Sequence, residues 1–268
     1  MNSRGSVMIT TLGSSDAFNS GGRGNSCFWV QDAVGSYALD CGPSALRSIQ
    51  ALGLPINELD ALYLTHLHGD HIGGIPGLLL TLHYRCERQR PFVIAGPVGT
   101  RERITALCQL CYPSAIPDAL NFELTFIEWA RHSESSAAGR RVSARPAQHD
   151  EQVAPSSLLI APLEGEGARI AFSGDTGWCD SIVELASRAD ALFCECSYLE
   201  PVFGGHLSLK ELKNNRQKLE VDQLILTHLG DEARAAAVKI AAEMRAEVAD
   251  DGSRYDILPA SSLKVKVL

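Results

Sequence analysis

In the stretch Leu64-Thr65-His66-Leu67-His68-Gly69-Asp70-His71-Ile72-Gly73-Gly74, four side chains able to ligate a metal fall within six consecutive positions. The apolar run Ala61–Thr65, of strand length, leads into them, and a helix-forming stretch follows. His66 and His68 alternate, so on an extended backbone both point the same way. Asp70 and His71 fall on the turn and can face a second point in space. Such spacing suits two cations side by side, one held mainly by imidazoles and one by a carboxylate plus an imidazole. The chain has only 8 histidines in 268 residues. Three of them packed beside an aspartate are hard to assign to an ordinary surface loop.

The elements that must position this loop alternate along the whole chain. Met8–Leu12, Cys27–Gln31, Tyr37–Asp40, Phe92–Ala95 and Phe122–Trp129 read as strands, with Ser44–Leu52, Ile75–Cys86 and Thr100–Cys111 as helices. Val142–Ala147, Ser157–Ala161 and Ala168–Ser173 follow as strands, with Glu164-Gly165-Glu166-Gly167 as a turn. Then come a helix over Ser181–Ser187, a strand over Ala191–Cys194, a helix over Leu209–Leu219, a strand over Gln223–Leu226 and a helix over Glu232–Val248. Lys264–Leu268 is a candidate closing strand. Hairpins mixed with αβ units argue for sheets with helices packed outside.

Composition narrows the class. Apolar residues at 45% and charged residues at 21% describe an ordinary globular chain that can bury a core. No apolar run approaches the length of a membrane span, and the start, Met1–Ile9, has no apolar core of a secretory signal. A cytoplasmic protein is expected. The net charge of −8 argues against coating nucleic acid by charge alone. Eight cysteines, with one Cys108-Gln109-Leu110-Cys111 pair and no second, suit reduced structural thiols better than a disulfide scaffold or a zinc cluster.

The sequence resembles the metallo-β-lactamase superfamily, whose signature is H-x-H-x-D-H, and within it the ribonuclease Z branch. Ordered matches begin at Leu12-Gly13-Ser14-Ser15 and Arg23-Gly24-Asn25-Ser26, then run through Leu39-Asp40-Cys41-Gly42 and Thr65 to Leu79. They continue at Ser173-Gly174-Asp175-Thr176, Glu195-Cys196-Ser197-Tyr198, His206-Leu207-Ser208 and Leu226-Thr227-His228. The resemblance implies a four-layer αββα sandwich of two mixed sheets with outer helices, in one domain over residues 1–268. It also implies two divalent metal ions, zinc first and manganese or iron as alternatives. His66, His68 and His149 would hold one and Asp70, His71 and His228 the other, with Asp175 and a hydroxide bridging them. His132 is the alternative to His149. His206, supported by Glu195, would give the proton to the leaving oxygen, and Asp70 counts with them among the catalytic residues. His83 reads as a packing residue on a helix.

The expected activity is hydrolysis of a phosphodiester: an RNA end, a cyclic nucleotide or a small diester. Hydrolysis of a lactone, carboxylic ester or sulfate ester on the same site is the alternative, and a binding module without turnover is a third class. Ribonuclease Z proteins carry an arm for tRNA, in many members between the counterparts of His149 and Asp175. Here two strands and a turn fill that interval, and Leu229-Gly230-Asp231-Glu232 puts acidic residues after His228. Both features put tRNA processing in doubt. Arg85, Arg88, Arg90, Arg101, Arg131, Arg140, Arg141 and Arg145 are candidate phosphate contacts or else a solvated face. The loop Ser14–Arg23 either flanks the substrate or merely joins two strands. A homodimer is usual for the branch.

Overall fold

Most strands of this chain bury both faces, which is why they read as nearly continuous apolar runs. In the computed structural model, which describes residues 5–113, 120–202 and 204–260, two seven-stranded sheets lie face to face. The first is built from β1 (Val7–Gly13), β2 (Cys27–Gln31), β3 (Ser36–Leu39), β4 (Leu59–Tyr63), β5 (Phe92–Pro97), β6 (Leu124–Trp129) and β14 (Arg254–Ile257). Its order is β14-β1-β2-β3-β4-β5-β6, antiparallel up to β3 and parallel from there on.

The second sheet contains β7 (Ser133–Ala137), β8 (Arg140–Pro146), β9 (Ser156–Pro162), β10 (Ile170–Phe172), β11 (Ala191–Glu195), β12 (Gln223–Thr227) and β13 (Ala246–Val248). Its order is β13-β12-β11-β10-β9-β8-β7, parallel from β13 to β10 and antiparallel beyond. Each sheet is therefore mixed in the same way.

Three apolar layers follow. Between the sheets, Ile9, Phe28, Val30 and Tyr63 meet Leu158, Ile170, Phe172 and Phe193, with Phe172 and Phe193 stacked at 5.0 Å. Outside the first sheet, helices α1 (Ala45–Ala51), α3 (Ile75–Tyr84) and α4 (Thr100–Cys111) bury Ile49, Leu78, Leu79, Leu82 and Ile104. Outside the second, α5 (Asp180–Arg188), α6 (Leu209–Asn215) and α7 (Asp231–Ile240) bury Ile182, Leu185, Leu212 and Ala237. A short helix, α2 (Gly69–Ile72), carries the histidine-rich turn. The result is the αββα sandwich expected from the resemblance. No helix among the described residues is long and apolar enough to cross a membrane.

Several elements differ from the sequence expectation, among them the unread strand β14 (Arg254–Ile257), which pairs with β1. The helix read over Glu232–Val248 stops at Ile240, and Ala246–Val248 instead adds a parallel edge strand to β12. The helix read over Leu209–Leu219 ends at Asn215 and tightens into a 3₁₀ turn, Arg216–Lys218. Ser133–Ala137, polar enough to read as loop, pairs antiparallel with β8. The suggested strand Lys264–Leu268 lies outside the described residues. The cysteines among them are all free; Cys27, Cys41, Cys108, Cys194 and Cys196 are buried, and burial pushes the Cys41 thiol up to about 12.

Candidate active site

Both sheets end at one shared edge, and each supplies part of the site. After β4, the chain passes Thr65 and turns into α2, presenting His66, His68, Asp70 and His71. From the second sheet, His149 follows β8, Asp175 follows β10 and His228 follows β12. The turn before Asp175 requires glycine. Gly174 has φ +58°, and a Cβ there would come within 2.9 Å of Thr65 and 3.0 Å of the Ser156 carbonyl. His228 itself sits in the left-handed region at φ +54°, held by the Leu229 N–H donating to the Ser14 carbonyl and the Ser197 hydroxyl near its own carbonyl. The loop Ser14–Arg23 thus braces the His228 turn, with Ser15 bridging to Leu229.

Two donor sets converge. His66, His68, His149 and Asp175 form one, and Asp70, His71, Asp175 and His228 the other, each set having its ligand atoms within 4.8 Å of one another. Asp175 belongs to both: its Oδ2 is 3.7 Å from His66 Nε2, and its Oδ1 is 3.2 Å from His71 Nε2 and 3.5 Å from His228 Nε2. The imidazoles are oriented from behind. His71 Nδ1 faces Asp40 Oδ2 at 2.7 Å, His149 Nδ1 faces the Gly205 carbonyl at 3.0 Å and His66 Nδ1 faces the Thr65 hydroxyl at 3.1 Å. Asp40 is itself fixed by the Thr65 N–H and hydroxyl, both 2.9 Å away. His68 points the other way round, its Nδ1 lying 3.2 Å and 3.0 Å from the Nε2 atoms of His66 and His149. Such outer partners set which ring nitrogen is free to ligate.

The donor chemistry fits divalent cations. His71 Nε2 is buried without a hydrogen-bond partner, although two carboxylates, Asp70 and Asp175, lie 3.3 Å and 3.2 Å away. Against burial, the Asp175 and Asp40 carboxylates push the His71 pKa well above the ordinary imidazole range, so these oxygens call for a positive charge at Nε2, one that a cation held there would supply in place of the proton. Burial and the nearby His71 push His66 well below the ordinary imidazole range, leaving it a neutral donor. Burial would raise the Asp70 carboxyl, but the His228 and His71 imidazoles beside it outweigh burial and hold that group well below the usual carboxylate range.

His206 and Glu195 lie beside these sets. His206 Nδ1 is 2.9 Å from Glu195 Oε1, and the ring stacks on His228 with centroids 5.7 Å apart. Ser208 and Glu211 form a reciprocal cap at the start of α6, which fixes the chain just after His206. Burial alone would lower the His206 pKa. The Glu195 hydrogen bond and charge, with Asp175 and Asp70 beyond, carry it up to about 9. A cleft of about 480 Å³ opens from His149 and His206, lined further by Gln148, Trp178 and Val202.

All the sequence-predicted site residues meet at this edge. His132 is exposed, and His83 is buried with its Nδ1 accepting from the Asn121 N–H at 3.0 Å. Six of the eight arginines are otherwise employed. Arg88 gives its guanidinium to the carbonyls of Asn57, Arg90 and Pro91. Arg140 pairs with Asp32 and Arg145 with Glu134 and Glu184. Arg90 pairs with Asp60 and Glu58, Arg131 with Glu151, and Arg101 lies over the Phe126 ring. None of the eight lines the cleft. The supporting roles of Asp40, Ser197 and Gly205 were not legible. All three fall in or beside the matched motifs, but spacing carries no sign of what an orienting residue touches.

A two-sheet sandwich with an H-x-H-x-D-H turn and a shared aspartate at one edge defines a metallohydrolase of the metallo-β-lactamase fold, ribonuclease Z-like in kind. The solved structure of the metallo-β-lactamase fold protein YhfI from Bacillus subtilis superimposes with a TM-score of 0.75 at 19% identity, covering 94% of this chain and 99% of that one. The short form of human tRNase Z gives a TM-score of 0.72 at 22% identity, covering 93% and 99%. Ribonuclease Z of Methanothermobacter thermautotrophicus is 26% identical, over 91% of this chain and 94% of that protein. The chain belongs to the family described as "Anti-Pycsar protein Apyc1", which matches residues 7–248.

Proposed function

We propose that this chain is a metal-dependent phosphodiesterase acting on small phosphodiesters, a cyclic nucleotide or an RNA end, in preference to a tRNA body. The anti-Pycsar role in the family's description is extended to it on the same footing. His66, His68 and His149 hold one divalent cation, Asp70, His71 and His228 a second, and Asp175 both. Zinc suits these nitrogen and oxygen donors, with manganese or iron as alternatives. Such a pair supplies hydroxide at neutral pH and polarises a phosphoryl oxygen.

The observation that carries the reading is the Glu195–His206 pair, 2.9 Å apart beside both donor sets. An alkoxide is a poor leaving group and needs a proton as it departs. His206 gives its Nδ1 proton to Glu195 as a hydrogen bond, which leaves Nε2 to protonate the leaving oxygen. Glu195 is buried and accepts from the Thr176 N–H at 2.6 Å, so the imidazole it holds is kept in one orientation. The preference for small substrates is supported by the interval from His149 to Asp175, which is occupied by β9, β10 and a 3₁₀ turn, and by arginines that pair internally. The test compares His206→Ala on a 2′,3′-cyclic nucleotide and on bis(p-nitrophenyl) phosphate, whose leaving group needs little help. Turnover of the first should fall by about 10²–10⁴-fold and of the second far less. Equal losses on both, or lactone turnover with inert diesters, would overturn the reading in favour of an ester hydrolase.

A further inference from the structure

The Ser197 hydroxyl stands where three groups of the site meet. Its Oγ lies 2.9 Å from His228 Nδ1, 2.8 Å from Glu195 Oε2 and 3.3 Å from His206 Nδ1. A hydroxyl has one proton to give and two lone pairs, so the order of protons can be worked out. His228 Nε2 faces Asp70 and Asp175, at 3.4 Å and 3.5 Å. To offer a lone pair to a cation there, the ring must carry its proton on Nδ1. That proton points at Ser197 Oγ, which accepts it. The Ser197 hydroxyl then donates to Glu195 Oε2 at 2.8 Å in preference to the His228 carbonyl at 3.1 Å, while His206 Nδ1 donates to Oε1 of the same carboxylate. The backbone N–H groups of Thr176 and Ser197 fill the remaining positions on Glu195. Were Ser197 to donate to His228 instead, the His228 proton would sit on Nε2 and no lone pair would face the carboxylates.

We infer that Ser197 is a positioning residue that sets the tautomer of His228 and, through Glu195, the orientation of His206. One hydroxyl thereby aligns the ligand half of the site with its proton-donating half. The second role rests on the phosphodiesterase reading; the first does not.

The experiment measures zinc binding to the whole chain by competition with a chromophoric chelator, in wild type, Ser197→Ala and Ser197→Thr. In Ser197→Ala one of two zinc affinities should fall by about 10–100-fold, the usual consequence of losing an orienting partner, while the other holds. Ser197→Thr keeps the hydroxyl and should restore the lost affinity. Should Ser197→Ala fail to fold, Ser197→Cys, whose sulfur is a weak acceptor, replaces it. Unchanged affinities in Ser197→Ala, or an equal loss in Ser197→Thr, would overturn the inference. Neither result touches the substrate comparison in His206→Ala, so the two readings fail separately.

Discussion

On the phosphodiesterase reading, what lies behind His206 keeps it in the form that can give a proton. Its ordinary pKa of 6.5 is raised to about 9, against burial, by Glu195 and then by Asp175 and Asp70. The sign follows directly: the protonated form is present below about 9 and is lost as pH rises through that value. With cations on Asp175 and Asp70, the Glu195 share of this shift is what remains to hold the proton on His206, so hydrolysis of an unactivated diester should decline on the alkaline side. In Glu195→Gln the decline should move toward the ordinary histidine range, as a pH–rate profile would show; an unmoved alkaline limb would exclude His206 as its source. That the chemistry-bearing residues would come together was legible because each is a ligating or titrating type at a strand end or in a dense cluster, as with His66, His68, Asp70 and His71. Asp40 and Ser197 were not, because their roles depend on a neighbour brought in from another strand. A carboxylate behind an imidazole has no spacing rule in the chain.

At the scale of elements, Arg140 shows how a charged side chain can be taken for a surface contact. It opens β8 in the second sheet, is fully buried, and donates Nε and Nη2 to Asp32 at 2.7 Å and 2.8 Å, while lying 4.5 Å from the Tyr37 ring centre. Asp32 lies in the turn between β2 and β3 of the first sheet, so the pair clasps the two sheets at their margin. Replacing one partner strands the other charge. Arg140→Met should cost about 3–5 kcal/mol in urea denaturation, and adding Asp32→Leu should recover part of it; additive losses would show that the two residues act independently. The strands most easily read were those buried on both faces, such as Phe92–Pro97. Ser133–Ala137 was missed because an edge strand can be polar, and Ala246–Val248 because its alanine- and glutamate-rich sequence favours a helix that pairing with β12 overrides.

At the scale of the whole molecule, the net charge is −8, and Arg140 and Arg145 are spent on ion pairs within the fold rather than offered to a nucleic-acid backbone. The KM for a cyclic nucleotide should accordingly change by only about two- to threefold between 50 and 200 mM salt, far less than the roughly 10³–10⁵-fold expected of a protein gripping many phosphates. A steep salt dependence would point to a basic surface that the paired arginines do not supply. The αββα architecture came from ordered motif matches, since periodicity alone indicates sheets with helices outside and does not say which strand neighbours which. The division of the proposed ligands between the sheets has a kinetic consequence. His66, His68, Asp70 and His71 stand on one sheet and His149, Asp175 and His228 on the other, so the site is complete only once the sheets have docked. Interactions completed after the folding barrier slow escape rather than hasten arrival. Zinc should thus leave the folding arm of a chevron plot unmoved and depress the unfolding arm, lengthening the lifetime of each folded molecule without changing how quickly it forms.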